Sequence, residues 1–109
     1  MEEVKEQQFP APCCLFEIKL EDQERFLKMV RAMGNSSRFE ILKFLATHPG
    51  CITGNLVEVL PIAQATVSQH LEVLREAGWI QGTVKGKAVS YCLHAENVAW
   101  FRQRAREIL

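Results

Sequence analysis

The chain lacks any apolar run long enough to cross a membrane, since its hydrophobic residues come only a few at a time. Its first eight residues are polar and of mixed charge, without the basic start and apolar middle of a secretory signal. It also lacks a phosphate-binding glycine loop, a His-Glu-x-x-His motif and a Ser-His-Asp order. These absences favour a cytoplasmic protein with no membrane partner, no organic cofactor and no enzymatic activity.

Excess charge of one sign is missing as well, because 13 basic residues balance 13 acidic ones. Proteins that bind nucleic acid usually carry a basic excess. Any affinity for DNA must therefore come from local clusters of charge, and the overall composition counts against it.

The length and composition fit one small domain. The chain has 109 residues, 48% of them hydrophobic, which is enough for a single core. Pro10 and Pro12 disfavour helix near the start of the chain. We predict an N-terminal arm at residues 1–14 and a folded domain at residues 15–109.

The spacing of apolar residues, with glycine and proline between the segments, predicts seven elements. Helices are expected at about residues 21–33, 53–60 and 63–77, and a last helix from about Asn97. Another helix follows the first, capped by Asn35 or Ser37 and ending before Pro49-Gly50. Residues 79–84 and 88–93 alternate as two strands, joined by a turn at Lys85-Gly86-Lys87. A short helix, a tight turn and a longer helix form a helix-turn-helix, and the hairpin after it is a wing. The predicted fold is mainly α, a winged helix-turn-helix.

The longer helix of this motif has two different faces. Val67, Leu71 and Leu74 share its apolar stripe. In such motifs the N-terminal part of the second helix enters the major groove, where Gln suits adenine, Ser reads several bases and Ala touches thymine methyl groups. The predicted DNA-binding residues are Gln64, Ala65, Thr66, Ser68 and Gln69 of the helix, with Lys85 and Lys87 of the wing on phosphates. Taken alone, Gln64 or Gln69 is better explained as a solvated surface residue, and lysines are common in exposed turns; the order of elements together with the face pattern favours DNA binding.

Two segments resemble a known family. The stretch from Ala65 to Gly78, Ala-Thr-Val-Ser-Gln-His-Leu-Glu-Val-Leu-Arg-Glu-Ala-Gly, resembles the recognition-helix signature of ArsR-type (arsenic repressor) metalloregulators. Residues 34–42 resemble the start of that family's second helix. The resemblance covers about residues 21–109. It implies a homodimer joined by the first and last helices, and a repressor that leaves its operator when an inducer binds. Trp100, Phe101 and Ile108 are candidates for apolar dimer surface.

The cysteines bear on which inducer is sensed. Four cysteines in a reducing compartment indicate metal binding, reactivity or burial rather than disulfides. The best-known arsenic-responsive members carry two cysteines one residue apart at the short helix, where this chain has Cys51-Ile52-Thr53. The family's zinc-type site on the last helix needs histidine, and residues 97–109 contain none.

Cys13, Cys14 and Cys51 remain as the predicted ligands of As(III) or Sb(III). Such ions are thiophilic and take three sulfurs. Adjacent cysteines are poorly placed to form a disulfide with each other, so the pair stays available. Cys51 precedes a helix N-terminus, where the helix dipole favours the thiolate. Some ArsR-type repressors pair an N-terminal Cys-Cys with a cysteine at the short helix across the dimer, and this chain resembles that subgroup.

Other readings stay open at this point. Cys13 and Cys14 could be inert, Cys51 could be a small core residue, and Cys92 is best explained by strand packing. The three histidines are scattered and are expected to be surface or satisfied residues rather than ligands. The same fold could instead sense thiol oxidation, reactive sulfur, or Cd²⁺ or Pb²⁺. A metal carrier that never binds DNA is a further alternative, from a different functional class.

Overall fold

A computed structural model describes residues 19–108, which form five helices and one two-stranded antiparallel sheet. The elements in chain order are α1 (Leu20–Met33), α2 (Ser36–Thr47), α3 (Thr53–Val59), α4 (Gln64–Ala77), β1 (Ile80–Lys85), β2 (Ala88–Leu93) and α5 (Ala95–Ile108). This order confirms the predicted winged helix-turn-helix. Among the described residues, no helix is long and apolar enough to cross a membrane.

The helix ends follow local capping chemistry. The side chain of Asn35 caps α2 by accepting a 3.0 Å hydrogen bond from the backbone N–H of Arg38, which decides between the two predicted caps, Asn35 and Ser37. Helix α5 starts two residues before the predicted Asn97, because the ring of His94 accepts the backbone N–H of Asn97 at 3.3 Å. Histidine is not a usual N-cap residue, so this start could not be read from the sequence.

The core lies between the first four helices and the base of the sheet. Val67, Leu71 and Leu74 of α4 are all at most 1% exposed, as their spacing predicts. They pack with the other fully buried large side chains, which are Met29, Ile41, Leu45, Leu56 and Ile80. One stripe of α4 is therefore committed to the interior, and the opposite stripe is left for the surface.

The wing is anchored to the loop between α2 and α3. Its strands pair in register from Ile80 opposite Leu93 to Lys85 opposite Ala88. At its base, the Tyr91 N–H donates to the Cys51 carbonyl and the Gly50 N–H donates to the Tyr91 carbonyl, both at 2.9 Å. Two backbone hydrogen bonds thus join the base of the wing to the segment that leads into α3.

Helices α1 and α5 pack against each other through aromatic rings. Phe26 and Phe101 stack with ring centroids 4.6 Å apart, and Trp79 lies 4.8 Å from Phe101 on another side. Arg104 of α5 forms an ion pair with Asp22 of α1 at 3.5 Å. Phe101 is therefore occupied in joining α1 to α5 within one chain.

Candidate nucleic-acid interface and inducer site

The first two turns of α4 present a polar surface. Gln64, Ala65, Ser68 and Gln69 are exposed, and Thr66 is half-buried. The structure brings these five predicted residues together in the first two turns of the helix, with Ala65, Ser68 and Gln69 on the side away from its buried stripe. Hydrogen-bonding side chains and a small apolar side chain on one helical face suit the edges of bases in a groove.

The first N–H groups of α4 are also available to a hydrogen-bond acceptor. Its N-cap residue, Ala63, has no side chain that could accept hydrogen bonds from the first N–H groups of the helix. Unpaired N–H groups and the positive end of the helix dipole favour a phosphate at such a place. Thr66, in the first turn, can add a hydroxyl donor.

The tip of the wing carries the two predicted lysines. Lys85 ends β1 and Lys87 lies in the turn, both exposed on either side of Gly86, whose positive φ of 64° suits glycine. Neither lysine forms an ion pair with a residue in the described part of the chain. Val84, beside them, is 74% exposed. The tip thus offers two positive charges and an apolar side chain to a partner.

The far end of α4 is held by contacts that the sequence did not reveal. The Asn97 side chain donates to the Gly78 carbonyl at 2.9 Å and accepts from Arg25 at 2.9 Å. The buried indole of Trp79 donates to the Met29 carbonyl at 2.7 Å. These bonds join the end of α4 to both α1 and α5. The partners lie 19 to 72 residues apart in the chain, so no local pattern signals them.

Cys51 lies inside the protein, just ahead of α3. It is 8% exposed and belongs to the core cluster. Burial raises the pKa of its thiol, although a hydrogen bond with the backbone opposes this shift. The net direction is therefore opposite to the shift that the helix dipole alone was expected to give. Cys51 precedes the N-cap residue Ile52, and the loss of hydration on burial is the largest cause of its raised pKa.

The other cysteines divide between described and undescribed residues. Cys92 is half-buried opposite Gln81 in the sheet, and the Gln81 amide lies 3.7 Å from its sulfur, which fits a strand residue. Cys13 and Cys14 lie outside the described residues. Within residues 19–108, no group of three or more His, Cys, Asp or Glu side chains could hold a metal ion. The three-thiol site stays a prediction.

The histidines have structural partners, as expected from the sequence. His48 stacks on Phe44 with ring centroids 4.1 Å apart. His94 caps α5, and His70 contacts Arg38 of α2. None of the three belongs to a cluster of ligands among the described residues.

These observations define a class of protein, the winged helix-turn-helix regulators. The family is shown by comparison of the sequence, because the model of the bacterial regulatory proteins of the arsR family matches residues 35–81, from the cap of α2 to the start of β1. The chain belongs to that family. The family consists of regulatory proteins, not enzymes.

Two relatives align with most of the described region. An uncharacterized HTH-type transcriptional regulator of Methanocaldococcus jannaschii is 30% identical over 67 residues, which make up 62% of this chain and 75% of that protein. The HTH-type transcriptional repressor SmtB of Mycobacterium tuberculosis is 33% identical over 72 residues, or 66% of this chain. The aligned part spans 53% of SmtB, about half its length.

Two solved structures share the architecture. A possible transcriptional regulator for arsenical resistance has a TM-score of 0.65 at 26% identity, covering 70% of this chain and 78% of that one. The homodimeric winged helix-turn-helix DNA-binding domain Mb0332 of Mycobacterium bovis has a TM-score of 0.67 at 18% identity, covering 86% and 89%. The second likeness concerns the fold alone.

Proposed function

We propose that this protein is a homodimeric transcriptional repressor that releases its operator when arsenite or antimonite binds to Cys13, Cys14 and Cys51. The DNA-binding part of this proposal is supported by the surface of α4. Its first two turns expose polar side chains, while the opposite stripe is fixed in the core. Because that stripe is buried, the exposed face has a definite orientation, which a helix needs in order to recognise a base sequence in DNA.

The proposed DNA contacts are of two kinds: some recognise bases, and others bind phosphates and position the protein. Gln64 and Gln69 are suited to adenine edges, Ser68 to several bases and Ala65 to a thymine methyl group. The open N-terminus of α4 with Thr66, and Lys85 and Lys87 at the wing, suit phosphates. These local groups supply the affinity that a net charge of zero does not.

The dimer is proposed to form through α1 and α5. Support comes from the homodimeric Mb0332 domain and from the outer face of these helices, where Leu27 is exposed. Trp100 of α5 is half-buried, with the guanidinium of Arg25 3.8 Å from its ring centroid. Phe101 and Ile108 are packed within the chain, so they brace α1 and α5 behind this face.

The acid–base state of Cys51 favours a metalloid over a divalent cation. Arsenous acid is neutral, and each of its hydroxyl groups leaves as water with the proton of the thiol that replaces it. Three thiols thus exchange for three hydroxyls with no change in charge or oxidation state. Cd²⁺ or Pb²⁺ must instead displace the proton of a thiol whose pKa is raised, and oxidation also needs a thiolate.

The backbone at Cys51 supplies a route from inducer to DNA. Its carbonyl accepts the N–H of Tyr91 in the wing, and α3 begins two residues later at Thr53. A ligand that pulls the Cys51 sulfur toward an arm cysteine strains this pairing. The wing and α3 then shift together relative to α4, which favours a dimer that fits the operator less well.

The test uses a DNA duplex selected by the protein from a random-sequence pool. Binding is followed by fluorescence anisotropy with a phosphine reductant, since thiol reductants bind arsenite themselves. Sodium arsenite is expected to release the duplex, whereas an equal concentration of Cd²⁺ releases less. Hydrogen peroxide, added to reduced protein after the phosphine has been removed, is also expected to release less. A protein that selects no sequence refutes the repressor proposal. Selection without release by arsenite refutes only the choice of inducer.

A further inference from the structure

A contact between α2 and α4 lies next to the reading turns. His70 follows Gln69 in α4 and is half-buried, so its ring faces inward from the proposed DNA surface. Its Nδ1 lies 3.3 Å from Nη1 of Arg38, in the first turn of α2. The two residues are 32 positions apart in the chain, and nothing in the sequence pairs them.

Arg38 is itself fixed by two further bonds. Its Nε donates to the Ala32 carbonyl at 2.6 Å, and its backbone N–H donates to the Asn35 side chain at 3.0 Å. Ala32 is in the last turn of α1, where carbonyl groups lack helical partners. The Arg38 side chain, which starts in the first turn of α2, therefore joins the end of α1 to the middle of α4 through one guanidinium group.

This geometry is compatible with one protonation state of His70. Arginine donates hydrogen bonds and accepts none, so Nδ1 must be the acceptor and Nε2 must carry the proton. The imidazole is then neutral. A second proton on Nδ1 removes the acceptor and places two positive charges at the contact.

Among the charged groups nearby, Arg38 is the one that opposes protonation of His70. Lys28 and Arg31 of α1 line the groove beside Arg38, with Glu76 of α4 as its acidic member. The other acidic residue of α4 near the contact, Glu72, is paired with Arg75. The only charged residue of the neighbouring α3 is Glu58, which is exposed. The charged residue of β1, Lys85, lies at the end of that strand next to the wing tip.

We infer that His70 is a positioning residue for DNA reading, and that its bond to Arg38 holds the turn carrying Gln69 only while the imidazole is neutral. Protonation of His70 then loosens this turn and lowers the discrimination between operator and other DNA. The inference rests on the proposed function, in which α4 reads the operator.

The direction of the pH effect follows from linkage. Burial first, and the charge of Arg38 second, lower the pKa of His70 in the folded protein. The unfolded chain therefore binds the proton more readily than the folded protein does. The contribution of His70 to the free energy of unfolding is fully present above about pH 6.5 and declines as the pH falls through the pKa of the folded protein. Discrimination is expected to decline over the same range.

The experiment compares four variants with the wild type on a duplex selected at about pH 8 and on its scrambled counterpart. His70→Asn keeps an acceptor at the position of Nδ1 but does not titrate, whereas His70→Ala has no acceptor. Arg38→Met removes the donor. The matched control, His48→Asn, changes an exposed histidine at the other end of α2. The readout is the ratio of the two affinities at constant ionic strength, from about pH 8 to about pH 5.

The wild type and His48→Asn should lose discrimination by about threefold to tenfold on acidification, the range expected for one net hydrogen bond. His70→Asn should keep high discrimination at every pH. His70→Ala and Arg38→Met should show low discrimination at every pH. A ratio for His70→Asn that falls as in the wild type overturns the inference, as does a proton on Nδ1 in side-chain ¹⁵N spectra of the neutral free protein. Failure to select any duplex instead overturns the DNA-reading role of α4, and the inference with it.

Discussion

The two faces of α4 carry residues with opposite roles, although they belong to one 14-residue helix. On the inner face, Val67, Leu71 and Leu74 are closed off from solvent. On the outer face, Ala65, Ser68 and Gln69 are exposed. The inner face determines whether the helix forms in its place, and the outer face determines what it recognises. Substitutions should therefore separate stability from DNA recognition.

The largest effect is expected on the inner face. Leu71 is 1% exposed, and Leu71→Ala removes buried methyl groups and leaves a cavity. The free energy of unfolding should fall by about 2–5 kcal/mol, measured by urea denaturation. Gln69→Ala should change it by less than about 0.5 kcal/mol. A similar loss in both variants would contradict the division between the faces.

The next effect is expected on the outer face. Gln69→Ala should reduce discrimination at one base pair of each half-site by about 1–3 kcal/mol, because a side chain that suits an adenine edge is lost. Competition with duplexes substituted at single positions measures this. Gln23→Ala, which truncates an exposed glutamine of α1, is the control and should keep the parental preference. If Gln69→Ala weakens every duplex equally, Gln69 does not read bases.

The smallest effect concerns the wing. Replacing Lys85 and Lys87 together by Ala should weaken binding to all duplexes without changing base preference. The slope of log affinity against log salt concentration should become shallower by about 2, since two phosphate contacts are lost. Lys43→Ala, at an exposed lysine of α2, serves as the control. An unchanged slope in the double variant would remove the wing tip from the interface.

The sequence predicts the parts of this molecule that local periodicity controls. The 3.6-residue spacing of Val67, Leu71 and Leu74 identified α4, and the alternation in residues 79–93 identified the wing. Gly78, with φ of 100°, ends α4 at the predicted place because it tolerates a left-handed conformation. Each of these signals is carried by residues close together in the chain.

Features that depend on tertiary contacts were beyond such reasoning. The position of Cys51 before α3 was predicted, but its place in the core and its pairing with Tyr91 of the wing arise only on folding, and burial raises its pKa rather than lowering it. The bonds of Asn97 to Gly78 and of Arg38 to His70 join residues that are adjacent only after folding. Cys13 and Cys14 lie outside the described residues, so their part in the site remains a prediction.

The central claim is that a thiol site containing Cys51 controls release from DNA. The most direct measurement is an arsenite titration of the protein–operator complex, comparing Cys51→Ser with Cys92→Ser under a phosphine reductant. Both variants should bind the operator like the parent, because neither sulfur is among the residues proposed to contact DNA. Cys92→Ser should be released at the parental arsenite concentration, and Cys51→Ser should need at least about tenfold more, equivalent to about 1.4 kcal/mol of lost binding. Equal release of both variants would contradict the three-sulfur site and leave Cys13 and Cys14 as a two-thiol alternative.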